Sequence, residues 1–154
     1  MPINKISTLI EKIRKEKLYP LAKPISTGSF RSIKAIMQEE GFPGLDDCMY
    51  DLYKVSDGVA YNGVELFSCL PDSLMDGDYT LPDIISSNQS FRQYYSDYED
   101  YKESFIYLGR TDEDLLLFDA ELGKYLICAR EDLMVYEEAV TFEAFIRKVF
   151  KGRF

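Results

Sequence analysis

Three apolar runs of strand length follow one another with short gaps: Ser104-Phe-Ile-Tyr-Leu-Gly109, Asp114-Leu-Leu-Leu-Phe-Asp119 and Lys124-Tyr-Leu-Ile-Cys-Ala129. Parallel neighbours need a crossover of about a dozen residues or more, so runs this close predict antiparallel pairing. Glu121-Leu122-Gly123 reads as a short glycine-bearing hairpin connection, and Asp112-Glu113-Asp114 as a second, acidic tip. Leu133 to Tyr136 is a further strand candidate.

A second constraint is a change of period at Asp57-Gly58. Before it, Met49, Leu52, Tyr53 and Ser56 recur at helical spacing. Beyond it, Asn62-Gly63 signals a turn, and Val64, Leu66 and Phe67 open a strand-like run. Glycine suits the left-handed end of a helix, so Gly58 is expected at positive φ.

The remaining segments read as helices and connectors. Ile3, Ile6, Leu9, Ile10 and Ile13 make a helical stripe ending near Lys17, with Lys12, Arg14 and Lys15 near its end, where cations suit the helix dipole. Pro20 and Pro24 make residues 18–26 an extended connector. Phe30, Ile33, Ile36 and Met37 mark a second helix, which Gly41-Phe-Pro-Gly44 stops; a third runs from about Leu45 to the hinge at Gly58. Residues 69–81, rich in turn formers and acids, predict a surface loop that is the most dispensable-looking segment. Pro82-Asp83 then starts a helix through Ile84, Ile85, Asn88, Phe91 and Tyr95, on which the Asn88-Gln-Ser sequon is a chance match. Thr141 caps a last helix with Phe142, Phe145, Ile146 and Val149 on one face. The expected fold class is α+β: a single domain over residues 1–154, with a mostly antiparallel sheet flanked by helices. Residues 1–28 supply the N-terminal helix and connector and residues 29–154 the core. Leu52, Val55, Leu66, Phe105, Leu108, Leu115, Leu117, Phe142, Phe145 and Ile146 are expected inside.

The chain has 154 residues, of which 46% are hydrophobic and 29% charged, so it is expected to fold as a globular domain rather than remain disordered. It contains no histidine, which removes Ser-His-Asp and Cys-His centres, His-bearing metal sites and the commonest general base. No phosphate-binding loop, dinucleotide fingerprint or EF-hand spacing occurs, so no cofactor, metal or catalytic residue is expected. Paired acids such as Asp97/Asp100 or Asp112/Asp114 leave carboxylate catalysis as a remaining enzymatic route, needing two convergent acids. Cys48, Cys69 and Cys128 are odd in number and each sits beside apolar residues, predicting small buried hydrophobes in a reducing compartment. The N-terminal stretch lacks the apolar core of a signal peptide and no long apolar span occurs, so the expectation is a cytoplasmic, soluble protein.

Charge narrows the partners. The formal net charge is -9, and residues 51–100 hold 2 basic against 10 acidic side chains. A field of that sign repels phosphate backbones and anionic lipid, disfavouring nucleic acid and membrane and favouring a basic protein. At the end of that segment, Tyr94, Tyr95, Tyr98 and Tyr101 interleave with Asp97, Glu99, Asp100 and Glu103. Aromatics among acids suit a recognition surface, because tyrosine gives contact area at small entropic cost while acids select cations. The spacing of 94, 98 and 101 equally fits one half-buried helical face under solvated charges. The candidate partner-binding residues are therefore Tyr95, Asp97, Tyr98, Glu99, Asp100, Tyr101 and Glu103, with Asp112, Glu113 and Asp114 at the acidic tip, which a folded sheet could present together with them.

Phe42-Pro43, followed by Met49-Tyr-Asp-Leu-Tyr-Lys-Val-Ser-Asp-Gly58, resembles the Leu-Pro, helix, Asn-Gly signature of the SUKH superfamily. Phe105-Ile-Tyr-Leu-Gly109, Leu116-Leu-Phe-Asp119, Gly123-Lys-Tyr125 and Thr141-Phe-Glu-Ala-Phe-Ile146 resemble its later blocks in the same order. The likeness runs from about Ser29 onward. Phe42 stands for the usual leucine and Asp57 for the usual asparagine, and residues 69–81 have no counterpart. The resemblance implies an α+β binding module without catalytic residues. Bacterial members are taken to be immunity proteins that bind secreted toxins, often nucleases or deaminases, and fungal ones regulate cell-wall synthesis. The implied partner is a basic toxin domain, with a regulatory scaffold for a housekeeping protein as the alternative.

Overall fold

The computed structural model describes residues 5–16, 22–71, 75–76 and 79–153. Along the chain lie α1 (Lys5–Lys15), α2 (Thr27–Glu39), a 3₁₀ turn (Asp47–Met49) running into α3 (Tyr50–Tyr53), β1 (Val59–Tyr61), β2 (Val64–Leu66), β3 (Met75–Asp76) and β4 (Tyr79–Thr80). They are followed by α4 (Ile84–Tyr95), β5 (Phe105–Arg110), β6 (Asp114–Asp119), β7 (Lys124–Ala129), β8 (Val135–Ala139) and α5 (Phe142–Phe150). One six-stranded sheet has the order β1-β2-β5-β6-β7-β8 with every neighbour antiparallel, and β3-β4 is a separate two-stranded hairpin. The fold is α+β.

The apolar runs of β6 and β7 are nearly continuous because both sheet faces are covered. One face, with Ile106, Leu108, Leu116, Phe118, Tyr125 and Ile127, belongs to the large cluster that α1, α2, α3 and α5 also enter. The opposite face, with Phe105, Leu115, Leu117, Leu126 and Cys128, packs beneath Phe91 and Tyr95 of α4 and Leu133. Burying a leucine fully is worth about 1.5–3 kcal/mol, so this two-sided burial is where the sheet gains most of its stability.

Side-chain caps set where the helices begin. Ser26, Asp83 and Thr141 each accept the backbone N–H three residues on, starting α2, α4 and α5. Asn88 of α4, fully buried, joins that helix to the sheet. Its Oδ1 accepts from the Tyr107 N–H at 2.8 Å, and its Nδ2 donates to the Tyr107 carbonyl at 3.0 Å and to the Ile84 carbonyl at 2.8 Å. That burial removes the sequon asparagine from the surface.

β1 and β2 turn through Asn62 (φ 46°) and Gly63 (φ 85°). β2 then pairs with β5 through Leu66 and Gly109, where a Cβ on Gly109 would lie 2.2 Å from the Glu65 carbonyl oxygen, so only glycine permits the approach. Gly58 has φ +95°, as its place between helix and strand requires. Beside it Asp57 is fully buried, and its carboxylate accepts from the backbone N–H of Cys69 at 2.7 Å and of Leu70 at 3.1 Å.

Several expectations are corrected. The third helix is not one element from Leu45 to Gly58. The chain passes through a 3₁₀ turn and the four-residue α3, and helical bonding tightens at Val55, whose N–H reaches Leu52. Met49, Leu52, Tyr53 and Ser56 are nonetheless all buried, because these turns stay near helical geometry. Val55, at the margin of that face, is only half-buried; the other nine expected core residues are buried. Cys69 and Cys128 are buried but Cys48 is exposed, pointing outward from the 3₁₀ turn between buried Leu45 and Met49. Residues 69–81 are not simply a surface loop, since Cys69 and Leu81 at their two ends are 0% and 1% exposed. The last strand starts at Val135 rather than Leu133. Leu133 takes φ 65° to bury its side chain, which delays the extended backbone by two residues. The expected ends of the first helix and its connector, Ile3 and residues 17–21, lie outside the described residues.

Candidate protein-binding surface

The tyrosine-rich segment does not continue as a helix. α4 ends at Tyr95, and residues 96–104 return across the sheet to β5. Tyr95 is 9% exposed, seated in the second cluster with its hydroxyl donating to the Arg130 carbonyl at 2.8 Å. Its ring is part of the core rather than of a contact face, and burial raises its phenol above the ordinary value.

Tyr98 and Tyr101 are half-buried. Tyr98 packs on Tyr94 and Tyr95 at 6.0 and 4.7 Å between ring centres, and Tyr101 packs on Phe91 and Phe105 at 6.0 and 6.4 Å. The reading of Tyr94, Tyr98 and Tyr101 as one half-buried helical face is thus correct in the burial of Tyr98 and Tyr101, wrong in its helical cause for those two, and wrong in the burial of Tyr94, which stays on α4. Tyr94 itself is 67% exposed, and Asp97, Glu99, Asp100 and Glu103 stand in solvent around the cluster.

The acidic tip sits at the far end of β5 from Glu103. Six residues of strand separate them, which at the usual rise is about 20 Å. Tyr95, however, reaches Arg130, next to Ala129, which pairs with Asp114. The fold therefore brings residues 94–98 toward the tip and leaves Tyr101 and Glu103 toward the opposite end. At the tip, Asp112 and Glu113 are exposed and Asp114 is half-buried. Thr111 organises the turn, its hydroxyl accepting from the Glu113 and Asp114 N–H groups.

Asp114 leads to a surface that periodicity did not reveal. Tyr136 of β8 stands beside it; partial burial and the neighbouring Asp114 carboxylate together push the Tyr136 phenol well above its ordinary range. Among the described residues β8 pairs only with β7 and is one edge of the sheet. Met134, Val135, Tyr136 and Val140 in and beside it are 59%, 41%, 54% and 73% exposed, with Glu131, Asp132, Glu137 and Glu138 exposed among them. Of these acids Glu138 is paired, with Lys124 at 3.1 Å. A register shift opposite Ile127 and Cys128 bulges the strand near Tyr136. The signal in the sequence was the Glu137-Glu138 doublet inside an otherwise β-prone run, which breaks the alternation of a half-buried strand.

One further acid has a structural role. Asp119, 1% exposed, accepts from Lys102 at 2.6 Å, Ser104 at 2.7 Å and the Glu121 N–H at 3.0 Å, fastening the returning segment to the β6–β7 turn. Burial would raise its carboxyl, but the hydrogen bonds from Lys102, Ser104 and Glu121 outweigh that and hold it below the ordinary value. Among the described residues no group of three or more Cys, Asp or Glu is placed to hold a metal ion, and no helix is long and apolar enough to cross a membrane. No protein-family model matches the chain, and no curated protein matches it.

Proposed function

We propose that this chain is a non-enzymatic protein-binding module, an immunity protein of the SUKH type. It neutralises a bacterial toxin domain of the nuclease or deaminase class by direct binding in the cytoplasm. The observation that carries the reading is the β8 edge, an open strand with four large exposed apolar side chains framed by acids. Open edges are normally blunted, and contiguous exposed apolar side chains on a monomer mark contact sites. The acids choose the partner's sign. An enzyme acting on nucleic acid carries a cationic face for phosphate, and an acidic inhibitor is steered onto that face and covers it.

The test is co-expression with the toxin-like reading frame beside the gene in the native genome. Protection of growth, together with a stoichiometric complex by calorimetry, is the expected outcome. Absence of both protection and binding, with this chain folded, rejects the reading.

A further inference from the structure

Beside α4, on the sheet face away from the large cluster, a cavity of about 450 Å³ remains open. Phe67, Phe91, Tyr95 and Tyr107 give it aromatic walls, and Ser86 and Ser90 line its helix side. Two arginines close the far wall, and they differ in their surroundings. Arg110 is neutralised by Glu65, its Nε lying 2.6 Å from the carboxylate. Arg130 has no carboxylate partner among the described residues. One terminal nitrogen donates to the Thr111 carbonyl, and its Nε is buried with no acceptor.

A buried donor without an acceptor costs about 1–3 kcal/mol, and a guanidinium fork matches the paired oxygens of a carboxylate or phosphate. The volume, the apolar and aromatic wall and the few convergent polar groups are those of small-molecule sites. In a chain with 27 acidic side chains, the one guanidinium facing this cavity without a counter-ion supplies the charge that a bound anion would meet. The net negative charge does not prevent this, because at physiological salt a field is screened beyond about 8 Å and no acidic side chain is among the residues that line the cavity.

We propose that this cavity binds a small organic anion, a single carboxylate or phosphate carried on an aromatic or heteroaromatic ring. The anionic group sits on Arg130 and the ring lies against the wall that Phe91, Tyr95 and Tyr107 build by packing on one another. The site is independent of the protein-binding reading and stands or falls separately from it.

The experiment is a titration of the ¹⁵N-labelled protein followed by amide chemical shifts. Its arms are phenyl phosphate and 4-hydroxybenzoate as ring-bearing anions, phenol as the ring without charge, and inorganic phosphate as the charge without the ring. At least one ring-bearing anion should shift the amides of Ser90, Tyr107, Thr111 and Arg130 saturably at millimolar concentration. Phenol and inorganic phosphate should bind at least about tenfold more weakly. Arg130→Met should weaken binding by about tenfold or more, and Arg130→Lys by less, since it keeps the charge and loses the fork. No saturable shift with either ring-bearing anion up to about 10 mM overturns the proposal, whatever the variants do. So does inorganic phosphate binding as tightly as phenyl phosphate, or undiminished binding by a folded Arg130→Met protein.

Discussion

A carboxylate sealed beneath Lys102 and Ser104 ties the β6–β7 junction to pH. Asp119 is held below its ordinary 3.8, so as pH falls the unfolded chain takes up its proton before the folded chain does. The stabilisation is whole above that ordinary value and is lost as pH drops through the folded-state value. Urea melts between about pH 6 and pH 3 should show a steeper acid loss in the wild type than in Asp119→Asn; parallel curves would mean the carboxylate adds nothing specific. Leu117, fully buried in a strand with neighbours on both sides, makes a plain core test: Leu117→Ala should cost about 2–5 kcal/mol in the same melts. Gly58→Val should be worse tolerated than an exposed glycine replacement, because a Cβ there would lie 2.6 Å from Leu81 Cδ2 and 2.8 Å from the Leu66 carbonyl, at a φ that β-branched residues avoid. Gly58 was legible in the sequence because a helix-to-strand switch leaves few backbone options. Asp119 was not, since Lys102 stands 17 residues away and nothing local marks the pair. Nor was the outward turn of Cys48, because a three-residue 3₁₀ turn has no period to read.

Between elements, the decisive contact is one side chain acting as a piece of backbone. Asn88 supplies to Tyr107 both the acceptor and the donor that a neighbouring strand would give, and so locks α4 onto β5. Asn88→Ala leaves the N–H and the carbonyl of Tyr107 without partners, at about 1–3 kcal/mol for each group that stays buried. The expected signature is a lowered denaturant midpoint with faster hydrogen exchange at the Tyr107 amide. An unchanged exchange rate there would show that another group replaces the amide. The sequence placed Asn88 on the inward face of a helix but could not say that its amide faced a strand. The meander β5–β6–β7 was legible because gap lengths alone exclude parallel pairing. β8 was displaced by two residues because Leu133 turns left-handed to stay buried, a tertiary demand that overrides local propensity.

At the scale of the whole molecule, the charge asymmetry was visible from counting alone, whereas the surface it belongs to required the fold. Tyr95 left the candidate site for the core, while β8 came to the acidic tip, with Tyr136 beside Asp114. If a basic partner is steered by this field, reversing Asp97, Glu99 and Asp100 to lysine should slow association at low salt with little effect on dissociation. Tyr98→Ala should instead speed dissociation, both read by surface plasmon resonance on variants that circular dichroism shows folded. An association rate indifferent to the triple reversal at low ionic strength would take that segment out of the interface and leave the β8 edge. The strand order has a consequence of a different kind, in the timing of folding. β5 to β8 pair with sequence neighbours, but Glu65 of β2 must find Arg110 across the whole of α4. Refolding should therefore be slowed by Leu117→Ala, while Val64→Ala chiefly accelerates unfolding; the opposite pattern in stopped-flow kinetics would put the β1–β2 hairpin in the nucleus. On the ribosome this order is awkward. Ile6, Ile10, Phe30 and Leu52 are made before the strands they pack against, so the N-terminal half must wait with its apolar faces uncovered until β7 has emerged.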